Sequence, residues 1–190
     1  MGLFDKLFGG GDPSAKWVRD SALKVEVDLG TGSLCGVRLG LRPDALSRLG
    51  PPESKSATEE GTFAWLDLGV QADAQKGLLT SYTIGFRLEG EGFSPFGGSI
   101  LLDGKPIGLG GASRPEDVLG LLGEPWHRYA DPEDPEGDVS WFYERRGLEW
   151  EVEMLASGLL SAIVLHAPPS LADPEARQLL RVEKPWPPQG

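Results

Sequence analysis

Cysteine is all but missing from this 190-residue chain. Cys35 stands alone, so no disulfide can close within the chain and no cysteine-based metal site can be built. A reducing compartment suits such a chain, and an inert buried thiol is the expected role of Cys35. Histidine is also scarce: only His127 and His166 occur, neither with a metal ligand three or four residues away. Both read as structural, with no catalytic set around them. No apolar run approaches the roughly 18 residues of a membrane span. Positive charge is short too, with 18 Lys and Arg against 29 Asp and Glu and a formal net charge of −11. Such a surface repels phosphate backbones and anionic lipid, which argues against nucleic-acid binding, and it steers basic proteins.

What is abundant is punctuation. The chain holds 27 Gly and 16 Pro, which favours short strands and turns over a helical bundle. Leu3, Phe4, Leu7 and Phe8 make a short amphipathic stripe before Gly9-Gly10-Gly11. It reads as a leader helix that either docks on the domain or touches a membrane or partner, and residues 1–8 are the only expected membrane contact. This start carries no secretory h-region and no lipobox cysteine, so the expected location is cytoplasmic.

One pattern occurs twice. Leu41-Arg42-Pro43-Asp44-Ala45-Leu46-Ser47-Arg48-Leu49-Gly50-Pro51-Pro52 is echoed by Ser113-Arg114-Pro115-Glu116-Asp117-Val118-Leu119-Gly120-Leu121-Leu122-Gly123-Glu124-Pro125. Each reads as a short helix with Pro in its first turn and a Leu-Gly-x-Pro stop. Ser113 and Glu116 have capping-box spacing. A polar loop follows, then Phe63-Ala64-Trp65 in one copy and Val139-Ser140-Trp141 in the other. Last come Gly77 to Ile84 and Gly158 to Leu165. The offset is 73 residues at the helix stop, 76 at the tryptophan and 81 at the last glycine, a drift that loop insertions produce. Leu46, Leu49, Leu119 and Leu122 are the expected core leucines.

The segments after the helices alternate with period two. Leu78, Thr80, Tyr82, Ile84, Phe86 and Leu88 share one strand face; Leu148, Trp150, Val152 and Met154 share another, with Glu149, Glu151 and Glu153 opposite. Leu23, Val25 and Val27 predict a strand before the first helix. One buried and one wet face predict an antiparallel sheet. Asp173 as N-cap and Pro174 at N1 predict a C-terminal helix, followed by the extended Pro185-Trp186-Pro187-Pro188. The expected fold class is α+β: two tandem helix-plus-antiparallel-sheet repeats packed as one unit, helices on one side of the sheet. The expected organisation is a leader and linker over 1–12, repeats over 17–97 and 98–167, and a C-terminal helix and tail over 168–190.

The stretch Asp44 to Pro52 with Trp65, and Glu116 to Pro125 with Trp141 and Tyr143, resembles the repeat of β-lactamase-inhibitor-protein-like domains. It is also similar to the single unit of the SmpA/OmlA outer-membrane assembly lipoproteins. The likeness spans most of positions 36–167. It implies a concave sheet that binds protein, and it marks a fold rather than an activity.

The negative charge is concentrated: Ser113 to Leu155 holds 12 acids and 4 bases. Its densest cluster is Asp131, Glu133, Asp134, Glu136 and Asp138, interleaved with prolines that stiffen the loop. The spacing is not that of an EF-hand, and no metal site or cofactor is expected. Gly108-Leu109-Gly110-Gly111 lacks the residues of a phosphate loop and reads as a turn. Glu149, Glu151 and Glu153 cannot all be buried unpaired, so they face water or a basic partner. Trp126 and Tyr129, beside the acidic loop, are candidate anchors. The expected function is a non-enzymatic protein-binding module of inhibitor or immunity type, its acidic surface set against a basic protein. The alternative is an envelope-associated adaptor tethered by the leader.

Overall fold

The computed structural model describes residues 13–53, 61–87 and 93–184. The expected leader, its glycine linker, Leu88 and the Pro185–Pro188 tail lie outside them. The fold is α+β, mostly strand, with two sheets where one was expected.

The larger sheet has seven strands, all antiparallel. It comprises β4 (Gly61–Trp65), β5 (Val70–Gln75), β6 (Leu78–Gly85), β9 (His127–Ala130), β10 (Val139–Arg145), β11 (Leu148–Met154) and β12 (Leu160–His166), in the order β4-β5-β6-β12-β11-β10-β9. The smaller sheet comprises β1 (Glu26–Asp28), β2 (Ser33–Leu34), β3 (Val37–Arg38), β7 (Ser99–Leu102) and β8 (Lys105–Ile107), in the order β3-β2-β1-β7-β8. Its central pair, β1 with β7, is parallel. The expected strand over Leu23 to Val27 thus contributes only its end, and to a separate sheet. Alternation in sequence reports a two-faced strand but not which sheet receives it.

A 3-10 helix spans Pro43–Leu49 and an α-helix, α1, spans Pro115–Leu122. The first buries Leu46 and Leu49, which a three-residue turn stacks on one side. The second buries Val118 instead, with Leu119 and Leu122 only half-covered, so the expected core pair there is corrected. The true α turn of 3.6 residues presents a different edge to the sheet. Gly50 (φ 85°) and Gly123 (φ 81°) stop the two helices in the positive-φ region, as their spacing predicts. The N-cap of α1 is displaced by one residue from its expected place. Asp117, not Glu116, accepts from the Arg114 amide at 2.9 Å, while the Ser113 hydroxyl accepts from Gly110 N. The second α-helix, α2 (Pro174–Leu179), is capped by Asp173, which accepts from Glu175 N at 2.9 Å.

Strand register ties the two halves together. In the central β6–β12 pair, Tyr82 faces Leu165, Thr83 faces Val164 and Ile84 faces Ile163. Across the sheet, Trp65, Val70 and Ile84 form one row, and Tyr143, Trp150 and Leu165 form another in the corresponding strands. Phe63, Ala72 and Tyr82 likewise correspond to Trp141, Val152 and Ile163. The side chains agree: Trp65 Nε1 donates to Gly50 O at 2.9 Å, and Tyr143 Oη donates to Gly123 O at 3.2 Å. The counterpart of Trp65 is therefore Tyr143, not Trp141; residue identity misled the alignment by two positions.

Each half also has a bulge at the same place. The register slips at Asp73/Ala74, leaving Thr80 without a partner, and at Glu153/Met154, leaving Ser161 without one. The slip turns Leu79 into the core and leaves Leu78 46% exposed, which overturns the simple alternation expected from Leu78. One hydrophobic cluster runs through both halves and both sheets, from Val27 and Ile100 to Trp65, Ile84, Val152 and Ile163.

Candidate functional site

Strand β9 lies at the edge of the large sheet and leads into the acidic loop. Asp131 Oδ1 accepts from Glu133 N at 2.9 Å, Asp134 N donates to Asp131 O at 3.1 Å, and Gly137 N donates to Asp134 O at 3.0 Å. The loop is thus two linked turns, the conformation its Asp-Pro and Glu-Gly steps favour. Asp138 Oδ1 accepts from Ala156 N at 2.9 Å and pins the loop to the β11–β12 turn. Asp131, Glu133, Asp134, Glu136 and Asp138 are all exposed, and among the described residues none of them forms an ion pair. Among the described residues, nothing pairs with their charge at the protein surface.

Tyr129, half-buried on β9, faces Ser140 and through it Glu153 on the same side of the sheet. Glu151 lies one row away, with His166 Nε2 3.6 Å from its Oε2. Burial, followed by the charges of Glu151 and Asp138, holds the Glu153 carboxyl above its ordinary range. The loop, Tyr129, Glu151 and Glu153 therefore share one side of the molecule.

Glu149 departs from the expected stripe. It is fully buried, and its carboxylate accepts from Ser170 N at 3.2 Å, from Ser170 Oγ and from Leu171 N at 3.0 Å. Three donors from the C-terminal segment satisfy it, so it is withdrawn from the surface set. Those donors lie more than twenty residues on, beyond the reach of strand alternation. The same segment meets the histidine of β9, where His127 Nε2 lies 3.0 Å from Leu180 O. Lys184 Nζ donates to Trp126 O at 2.9 Å. Trp126 is half-buried, so the expected anchor is already in contact with its own chain. Burial pushes the Cys35 thiol up, and its sulfur lies 3.7 Å from Lys24 O.

A cavity of about 370 Å³ lies on the other side of β9, lined by Leu102, Leu121, Leu122, Trp126, Tyr143 and Trp150, with Glu124, Glu144 and Arg145 also at its wall. Sequence reading did not find it, because its wall is drawn from β7, α1, the connection that follows α1, β10 and β11. Arg145 and Arg146 share Asp103, at 2.7 and 3.2 Å. The adjacent arginines before Gly147 were the signal available for this. Among the described residues no three His, Cys, Asp or Glu side chains gather as a metal site, and no helix is long and apolar enough to cross a membrane.

No protein-family model matches the chain, and no curated protein matches it. Among solved structures, a DUF4309 family protein, YjgB of Bacillus subtilis, is similar at 12% identity and a TM-score of 0.45. The match covers 69% of this chain and 82% of that one. The comparisons name neither the β-lactamase-inhibitor-protein-like nor the SmpA/OmlA family.

Proposed function

We propose that this chain is a non-enzymatic, cytoplasmic protein-binding module of inhibitor or immunity type, built from two diverged copies of one hairpin–helix–sheet unit with its helices on one side of the large sheet. The matched rows, the matched bulges and the paired bonds of Trp65 and Tyr143 to their glycine carbonyls support the duplication. They also keep the resemblance to β-lactamase-inhibitor-protein-like repeats in play as a proposal.

The observation that carries the binding function is the acidic loop, Asp131 to Asp138, which forms no ion pair among the described residues and runs out of the sheet-edge strand that bears Tyr129. Unpaired surface carboxylates attract a basic partner over a Debye length and raise its association rate, and salt screens that attraction. Glu151 and Glu153 extend the same negative field, and Tyr129 supplies apolar contact at short range. The test is capture of the partner from host lysate, followed by association kinetics across a salt series. The rate should fall steeply with salt, and the triple change Glu133→Ser, Asp134→Ser, Glu136→Ser should remove most of that dependence. Tyr129→Ala should speed dissociation instead. An acidic partner, or a rate indifferent to salt, would refute the reading.

A further inference from the structure

The end of the large sheet opposite the acidic loop carries a surface of the reverse character. Ser81 on β6 faces His166, which faces Glu149, which faces Glu144, so this row runs across the sheet to the β10–β11 turn. The β5–β6 turn, Lys76-Gly77, lies at that same end, whereas the loop from Asp131 to Asp138 joins β9 to β10 at the other. Leu79 N donates to Leu41 O and Gly40 N to Leu79 O, both at 2.8 Å, and Leu41 N donates to Arg38 O at 3.3 Å. These bonds set the turn Arg38-Leu39-Gly40-Leu41 against the start of β6. Leu41 and Leu78 are 49% and 46% exposed there. Arg38, Arg42 and Lys76, all exposed, lie beside them in the chain. Neither Arg38 nor Lys76 forms an ion pair among the described residues, and Arg42 has Asp44 at 3.8 Å, with both side chains largely in water.

The second half does not repeat this surface. Leu160 N donates to Ser113 O as Leu79 N does to Leu41 O, so Ser113, which is buried, stands in the place of Leu41. The turn glycines Gly77 and Gly158 make Ser157 the counterpart of Lys76, and half-buried Leu159 that of Leu78. The charge differs in the same sense: residues 13–87 hold nine acids and nine bases, residues 93–184 sixteen acids and eight bases. The basic and apolar end thus belongs to a half without net charge, and the acidic loop to a strongly negative one.

We infer that the surface of Arg38, Leu41, Arg42, Lys76 and Leu78 docks the loop from Asp131 to Asp138 of a second copy of this chain. The two match in pattern. The loop interleaves its acids with exposed Pro132 and Pro135, and the surface interleaves its cations with exposed Leu41 and Leu78. Carboxylates meet Arg and Lys, and proline rings cover leucine side chains that otherwise stand in water. The local match holds on a molecule of net charge −11, because fields reaching beyond about 8 Å are screened at physiological ionic strength. The two surfaces sit at opposite ends of the sheet, so a copy that receives its neighbour's loop still presents its own loop to a third. The contact is heterologous, and association runs on past the dimer. This inference rests on the loop's proposed role as the binder of a basic protein surface, and it names that surface.

Sedimentation equilibrium of the full chain provides the test. The weight-average mass should rise with concentration beyond that of a dimer. Arg38→Glu with Lys76→Glu should leave a monomer, and so should Glu133→Lys with Asp134→Lys and Glu136→Lys, since each set places like charges against one another. Mixing these two variants should restore association, because the reversed surface of one then meets the reversed loop of the other. Leu78→Ser should weaken self-association about tenfold, through the loss of one covered leucine. A chain that stays monomeric up to about 1 mM, a mass that halts at the dimer, or a mixture that fails to associate would overturn the inference. So would association that Phe4→Ser with Phe8→Ser abolishes and Leu78→Ser spares, which would make the residues before Pro13 the contact. The changes at Arg38 and Lys76 leave the loop intact. A monomeric chain whose loop still captures a different basic protein therefore refutes this inference and not the wider reading.

Discussion

Asp73 and Glu153 occupy corresponding positions beside the two bulges, yet their surroundings are opposite. Asp73 accepts from Thr62 Oγ1 at 2.7 Å, from Ser81 Oγ at 2.7 Å and from Gln71 Nε2 at 3.3 Å. Glu153 has Ser140, Ala162 and Glu151 in those three places and accepts no hydrogen bond among the described residues. Matching register positions thus carry a hydrogen-bonded carboxylate in the first half and, in the second, one that burial and neighbouring acids hold above its ordinary range. Around the helices the contrast repeats: Asp20 and Asp67 are held below the ordinary carboxylate range by hydrogen bonds from Arg48 and Arg19, while Glu153 is held above it by burial. Over matching strand registers, Asp20, Asp67 and Asp73 have donors among the described residues, whereas Glu153 and the loop carboxylates from Asp131 to Glu136 form no ion pair there.

The largest expected difference between the halves lies in the helices. Leu46→Ala should cost about 2–5 kcal/mol, because the side chain is fully enclosed and leaves a cavity. Leu119→Ala should cost clearly less, since water already reaches it. Urea denaturation of both variants measures this, and equal losses would break the distinction between the two helix packings.

Glu149→Ala comes next. It strands the Ser170 and Leu171 amides and the Ser170 hydroxyl without an acceptor, at about 1–3 kcal/mol for such buried groups. Hydrogen exchange should show residues 170–180 opening first. A loss of global stability without local opening would mean that the C-terminal segment is held elsewhere.

The helix-stop glycines should differ in a smaller way. Alanine at either position is strained by its positive φ, on the order of 1–3 kcal/mol. At Gly50 a Cβ would also lie 2.9 Å from Arg19 Cβ, whereas at Gly123 it meets open space. Gly50→Ala should therefore lower Tm further than Gly123→Ala. Identical shifts would show that the segment around Arg19 yields freely.

The smallest effect concerns pH. The folded state holds a proton on Glu153 more tightly than the unfolded chain does, so the folded state binds more protons between the ordinary glutamate range and the raised value. Stability from this group is therefore full at lower pH and declines as pH rises through that window. Glu153→Gln should stabilise the protein at neutral pH and lose its advantage on acidification toward pH 4. Asp20 and Asp67 act in the opposite sense: their contribution is present at neutral pH and is lost as pH falls through their lowered values. Thermal melts across pH separate the two halves' contributions by sign.

The sequence by itself determined the local matters. Pro, Leu and Gly at fixed spacing set both helices and their stops, because a positive φ is tolerated by glycine and a proline bars continuation. Period-two alternation set β11 and most of β6, and the Asp-Pro pair set the cap of α2. The order of helix and strands after each glycine stop was legible, and so was the exposure of the loop from Asp131 to Asp138. What only the tertiary structure decided were the relations between distant segments. Strand partnership placed β1 in a second sheet and showed that Tyr143, not Trp141, corresponds to Trp65. The bulges exchanged Leu78 for Leu79. The C-terminal segment buried Glu149, which its strand alone left facing outward. The groove of Leu121, Trp126, Tyr143 and Arg145 exists only once α1 packs over the sheet. Local patterns record the conformation of a few residues, but burial, pairing and charge compensation depend on which distant side chains arrive, and no single segment encodes that.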